Sequence, residues 1–307
     1  MILQKCIKSY YCILFCAKFI NFAFKDYGKR IEEMNKPYST QTCCKINLGL
    51  NIIERRTDGY HNIETIFYPV PLFDELTISE GQDEDLLTLG GNPLEGRLQD
   101  NLVLRAVHLL RQEGFMFPPL NIDLCKVIPS GAGLGGGSSD AACVVRTLAQ
   151  LYDLPLSEEQ MKRLVERLGA DCPFFINPSP LYAEGIGNIF TPISLNIKGW
   201  CLMLVKPDVH VSTREAYAGV RPHKPVYSLY ETAKLPVGQW AGRMMNDFED
   251  SIFFGYPLLR EIKEELYHQG AAYASMSGSG STIFGLFRSR PDCEQAFAGH
   301  FTFVCQL

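Results

Sequence analysis

No Cys-x-x-Cys pair occurs anywhere in the 307 residues, although the chain carries eleven cysteines. That absence removes the common zinc ribbons and fingers. Irregular spacing, with Cys43 and Cys44 adjacent, also removes a disulfide framework, and an odd total fits reduced thiols better than a secreted scaffold. Basic charge is not in excess either. Lys and Arg number 29 against 34 Asp and Glu, for a formal net charge of -5, and no basic stripe stands out. A nucleic-acid partner is therefore not expected. Long apolar runs are missing as well. The N-terminal stretch "SYYCILFCAKFINFAF" is interrupted by Lys18, and falls short of the roughly 20 residues of a membrane helix. It lacks a small-residue cleavage site and the Ser and Arg of a transit peptide. Residues 1–33 are expected to be a tail outside the fold, with Met34 a candidate start. A cytoplasmic protein without a membrane partner follows from these absences.

What is present begins at Met34. Thr42 to Ile53 alternates like a strand and runs into the turn Asp58-Gly59. Further strands are expected at Ile63–Val70, Glu75–Ser79, Leu120–Ile128, Trp200–Val205 and Thr282–Phe287. Helical spacing of apolar residues marks Asp100–Gln112, Ala141–Tyr152 and Pro257–Gln269. Ser157 with Gln160 predicts a capping box, Gly169 a helix stop, and Ser212 with Glu215 another capped start. Strands and helices alternate in two blocks, with a break expected near residues 185–195.

Between the strand at Leu120 and the helix at Ala141 lies "KVIPSGAGLGGGSSDAA", with five glycines in seven residues. Gly131, Gly133 and Gly136 satisfy the dinucleotide-binding pattern, but Pro129 and Ser130 separate them from the strand. A Walker A loop would place its lysine on Gly137, which removes that reading. A bare backbone before a helix suits an anion, because several N–H groups face one concavity and the helix dipole adds about half a positive charge. Ser138, Ser139 or Asp140 is expected to cap the helix.

The loop "PSGAGLGGGSSDAA" resembles the phosphate loop of the GHMP kinases. "KINLGL", "RRTDGYHNIETIF", "GADCPFF", "NDFE" and "MSGSGS" stand in that family's order across the chain from Met34 onward. Cys44, where the family usually has alanine, is a departure. Asp-Gly-Tyr-His after Lys-Ile-Asn brings the chain nearest to the branch that phosphorylates a cytidine diphosphate-linked methylerythritol. The resemblance implies an α+β protein of two domains. These are a ribosomal-protein-S5-like, ATP-binding domain over 34–190 and a ferredoxin-like domain over 191–307.

The same resemblance implies ATP and Mg2+ as cofactors, and a small-molecule substrate bound by a monomer or homodimer. Pro129, Gly131, Gly133, Leu134, Gly135, Gly136, Gly137, Ser138 and Ser139 would surround the phosphates, with Lys126 a further candidate. Asp140 or a serine would help hold magnesium. Lys45 and Asp171 match the family's catalytic pair, with Asp171 as general base. Asn47, two residues beyond Lys45 on a strand, shares its face. Tyr60 and His61 would hold the cytidine, with Thr213 and Tyr217 completing the substrate wall. Other small-alcohol kinases of the family, a nucleotide-binding protein without catalysis, and a dinucleotide oxidoreductase are the competing readings.

Overall fold

The computed structural model describes residues 36–94 and 96–307, so the expectations for 1–33 and Met34 lie outside the described residues. β1 (Tyr38–Arg55) and β2 (His61–Glu80) form a long antiparallel ribbon. Asp58 makes their turn by accepting the Tyr60 N–H at 3.0 Å, and Gly59 takes a φ of 88°. Two strands were expected between Ile63 and Ser79, and the structure joins them into one. The irregular register at Cys43/Cys44 absorbs the interruption, since Cys44 pairs with Val70 and Cys43 with Phe73. Pro71 and Leu72 thus pass without ladder partners, which suits a residue that has no N–H.

β2 also pairs with β4 (Leu120–Lys126) and, at its other end, with β5 (Leu181–Glu184). β3 (Leu86–Gly91) lies parallel to β4, and β6 (Ile189–Pro192) closes a hairpin with β5. The short strands β3, β5 and β6 carry too little alternation to be seen in sequence. Helices α1 (Leu102–Gln112), α2 (Gly136–Leu151) and α3 (Glu158–Glu166) supply the apolar layer against this sheet. Ser157 and Gln160 form the expected capping box on α3, which ends three residues before Gly169.

The second sheet is antiparallel, in the order β10 (Phe301–Gln306), β7 (Cys201–Lys206), β9 (Ile283–Phe287), β8 (Tyr273–Met276). Counted from β7 this is the 4-1-3-2 order of a ferredoxin-like sheet. Helices α4 (Thr213–Gly219), α5 (Leu229–Thr232), α6 (Glu249–Gly255) and α7 (Pro257–His268) lie between β7 and β8 in the chain. The first sheet ends at Pro192 and the second begins at Cys201.

β1 joins the two layers. Its residues Cys44–Ile52 are buried without interruption. Cys44, Ile46 and Leu48 enter a core shared with Leu202, Leu204 and Trp240 of the second layer. Because strand side chains alternate, Lys45 and Asn47 then point the other way. That face is where the cavity lies.

Candidate active site

The glycine loop runs between two cavities, of about 480 and 750 Å³, and Gly131, Gly133 and Gly135 wall both. These three glycines alternate with ordinary residues and take φ of 57°, 73° and 71°. α2 starts at Gly136 behind an N-cap Gly135 that has no capping side chain. This corrects the expected capping: Ser138, Ser139 and Asp140 lie inside the helix, and Ser139 and Asp140 are buried. The physical consequence is a helix N-terminus whose first N–H groups are left for a ligand. Pro129, Gly136, Gly137 and Ser138 also line the smaller cavity, whereas Leu134 is buried. Leu134 nevertheless matters, because its carbonyl accepts the Lys45 N–H at 3.0 Å and ties β1 to the loop.

Lys45 is buried, and its Nζ donates to Asn47 Oδ1 at 2.6 Å and to the Gly133 carbonyl at 2.9 Å. Asp171 Oδ2 lies 3.3 Å from the same nitrogen, on a side chain that is 37 % exposed. Asp171 precedes a 3-10 turn, Cys172–Ile176, as its N-cap, but its side chain makes no capping hydrogen bond. The carboxylate is thus free to face the larger cavity. Asn47 Nδ2 donates to Thr65 Oγ1 at 2.9 Å, and that hydroxyl donates to the Gly49 carbonyl at 2.6 Å. A buried ammonium fixed in this way can offset negative charge that develops beside it.

Lys126 borders the smaller cavity but is committed elsewhere. Its Nζ pairs with Asp74, and with Asp140 Oδ2 at 2.6 Å. Asp74 Oδ1 accepts the N–H groups of Val127 and Ile128 at 2.6 and 2.8 Å, which pins the strand end where the loop departs. Thr42 Oγ1 donates to Asp140 Oδ1 at 2.7 Å. Burial raises the Asp140 carboxyl to about 6, against the opposing pull of Lys126. Burial would depress the Lys126 ammonium, yet Asp140 and Asp74 hold it above its ordinary range. Sequence reasoning had no signal for Asp74 as a partner.

Elsewhere in the wall of the larger cavity, the rings of His61 and Tyr217 stack with centroids 4.8 Å apart and planes within 20° of each other. Phe248 meets Tyr217 edge-on at 4.9 Å. Burial, with a smaller contribution from Asp171, pushes the Tyr217 phenol up to about 12, and burial lowers His61. Tyr60 stands exposed at the cavity rim. Thr213 Oγ1 lies 3.4 Å from Ser279 Oγ, so α4 leans against the second small-residue loop.

That second loop, Met276–Ser281, closes on the first. Ser277 Oγ donates to the Gly133 carbonyl at 2.9 Å and accepts the Asn47 N–H at 3.2 Å. The "NDFE" residues hold it from behind. Asn246 Nδ2 donates to the carbonyls of Met276 and Gly278, both at 2.8 Å, and Glu249 Oε1 accepts from Ser275 Oγ and the Met276 N–H. The motif was visible in sequence, but its bracing role was not.

The GHMP kinases N terminal domain model matches residues 101–177, and the GHMP kinases C terminal model matches 231–299. A Bacteroides fragilis protein named 4-diphosphocytidyl-2-C-methyl-D-erythritol kinase is 52% identical over 261 residues, covering 82% of this chain and 95% of its own. The chain belongs to the GHMP kinase family. A Bacteroides thetaiotaomicron relative of the same name is 54% identical over 246 residues, covering 79% of this chain and 89% of its own. A solved 4-(cytidine 5'-diphospho)-2C-methyl-D-erythritol kinase superposes with TM-score 0.71 at 32% identity, covering 87% of this chain and 98% of its own. This GHMP kinase therefore has the family's fold, with its N- and C-terminal parts. No helix among the described residues is long and apolar enough to cross a membrane.

Proposed function

We propose that the protein transfers the γ-phosphoryl group of ATP to the tertiary 2-hydroxyl of 4-diphosphocytidyl-2-C-methyl-D-erythritol. ADP is released, in a cytoplasmic step of the non-mevalonate route to isoprenoid precursors. The observation that carries this reading is the Lys45–Asp171 pair in the larger cavity, which shares its glycine wall with the smaller one and is also lined by the stacked rings of His61 and Tyr217. The relatives that share about half of its residues bear the name of that kinase.

Phosphoryl transfer asks for positioning and charge stabilisation more than for covalent help. Uncapped N–H groups at the start of α2 would hold the ATP phosphates in the smaller cavity. The 2-hydroxyl oxygen attacks the γ-phosphorus while its proton passes to the Asp171 carboxylate. The bond from the γ-phosphorus to the bridging oxygen breaks, and its electron pair leaves with ADP. Lys45 offsets charge on the transferring group. Residues 34–190 would carry the nucleotide, and 191–307 would complete the substrate wall through Thr213 and Tyr217.

Among the described residues no cluster of three or more His, Cys, Asp or Glu could hold a metal. Asp140 is already engaged by Thr42 and Lys126, and the Ser130 and Ser138 hydroxyls in the lining of the same cavity are further groups that would face magnesium. A sparse protein donor set suits this ion, which keeps several waters and binds phosphate oxygens. When bound, magnesium supplies charge neutralisation across the β- and γ-phosphates.

Coupled ADP release with the cytidyl substrate, homoserine and mevalonate tests the reading. Turnover with the cytidyl compound alone is the expected result. Turnover with homoserine or mevalonate in its place, or with none of the three, overturns it.

A further inference from the structure

The larger cavity is walled both by the Lys45–Asp171 pair and by the stacked rings of His61 and Tyr217, and its lining carries one uncommitted charge. Lys45 and Arg214 are the Lys or Arg residues that line it, and Asp171 is its one carboxylate. Lys45 is used up by Asn47, the Gly133 carbonyl and Asp171. Arg214 is exposed and forms no hydrogen bond, ion pair or ring contact among the described residues. Its acidic neighbour Glu215 forms no ion pair with it, and both Glu215 oxygens instead face the Tyr256 hydroxyl at 3.0 and 3.1 Å.

The course of α4 locates that charge. Thr213 at its start touches Ser279 of the second loop, and Tyr217 stacks on His61. Arg214 and Tyr217 are three residues apart and so share a helix face. Arg214 thus stands in the cavity wall on the same short helix as Thr213, which meets the second small-residue loop, and Tyr217, which meets the ring of His61. A ligand with an aromatic base on His61 and Tyr217 and a hydroxyl at Asp171 would carry its linking group past this wall. A guanidinium fork left free there matches phosphate oxygens in geometry and charge.

We propose that Arg214 recognises the diphosphate that joins the base to the sugar alcohol, and that it sets the preference for a nucleoside diphosphate-linked acceptor. The proposal rests on the substrate reading above. Arg214 acts on binding of the acceptor and takes no part in moving the proton or the phosphoryl group.

The test is calorimetric binding of cytidine and of cytidine 5'-diphosphate to full-length protein, with the nucleotide cavity filled by a non-hydrolysable ATP analogue. Wild type, Arg214→Gln and Arg214→Lys are compared. In the wild type the diphosphate should bind tighter than the nucleoside, and Arg214→Gln should shrink that ratio by roughly 10- to 100-fold, as expected for a charge-assisted contact. Cytidine itself should bind the variant as well as it binds wild type, and Arg214→Lys should recover part of the ratio. An unchanged ratio, or an equal loss for both ligands, overturns the assignment of Arg214 while leaving the substrate reading intact. A wild type that binds neither ligand overturns the substrate reading and this proposal with it.

Discussion

Lys45 Nζ and Asp171 Oδ2 sit 3.3 Å apart, one on a buried strand and the other on a half-exposed turn between α3 and β5. The ammonium is fixed by Asn47 and Gly133, while the carboxylate stays accessible from the cavity. That asymmetry fits a pair in which one member only stabilises charge and the other exchanges a proton. Asp171→Asn should cut turnover by roughly 10²- to 10⁴-fold while ATP binding stays near wild type. Steady-state kinetics with a separate nucleotide-binding measurement checks this, and a variant that keeps most of its turnover would remove Asp171 from the base role.

The loop glycines do not all answer to phosphate. A Cβ on Gly133 would lie 2.0 Å from the Ser277 carbonyl oxygen, at a φ of 73°. On Gly137 it would meet nothing nearer than Leu102 Cδ1 at 3.6 Å. Gly133→Ala should therefore destabilise the fold, by about 2 kcal/mol or more in chemical denaturation. Gly137→Val should melt like wild type yet raise the ATP KM by roughly 10-fold, by crowding the backbone where phosphate approaches. Unaltered ATP affinity in folded Gly137→Val would leave this loop without a phosphate.

Asp140 gives a signed pH dependence. Its folded carboxyl is raised to about 6 by burial, above the unfolded value near 3.9. The folded state then binds more protons between about pH 4 and 6, so this group's contribution to stability falls as pH rises through that window. Asp140→Asn lacks the term. The stability of the variant relative to wild type should climb from pH 4 to 6 by about 3 kcal/mol at most, then level off. Parallel urea titrations across that range measure the difference, and a flat difference would contradict a buried, raised carboxyl.

Tyr217 supplies a face for a base, and burial pushes its phenol up to about 12. Tyr217→Leu should raise the KM for the cytidyl substrate by roughly 10-fold, the worth of one base–aromatic stack. The KM for ATP should not move, because the residue lines only the larger cavity of the two. A parallel rise in both constants would point to lost packing.

Asn246 is buried, with its amide spanning the Met276 and Gly278 carbonyls and its oxygen accepting the Phe248 N–H at 3.0 Å. Asn246→Ala leaves those groups unpaired in the interior. A loss of about 2–4 kcal/mol in unfolding free energy is expected, with kcat falling alongside as the second loop loosens from Gly133. Wild-type stability in this variant would mean that the brace is redundant.

Much of this protein was settled within short windows of sequence. The capping hydroxyls Ser157 and Ser212 act on N–H groups three residues away, and both bonds form. The helices at Leu102 and Pro257 follow from apolar spacing alone. Lys45, Asn47, Tyr60, His61, Asp171, Thr213 and Tyr217 were named from motifs, and one cavity gathers all seven.

Contacts between distant segments decided the rest. β2 is one strand because β1 pairs with it on both sides of Pro71, and a register shift lets that proline through. Lys126 is held in a buried network because Asp74 and Asp140 arrive from a different strand and from α2. Gly133 is required by the carbonyl of Ser277, which approaches from the second sheet's loop. A turn, a cap or a helix face is specified by neighbours in the chain, and so leaves a local pattern. The partner of a buried charge, or the atom against a bare backbone, is chosen by packing of remote segments. That choice leaves no mark in any short window.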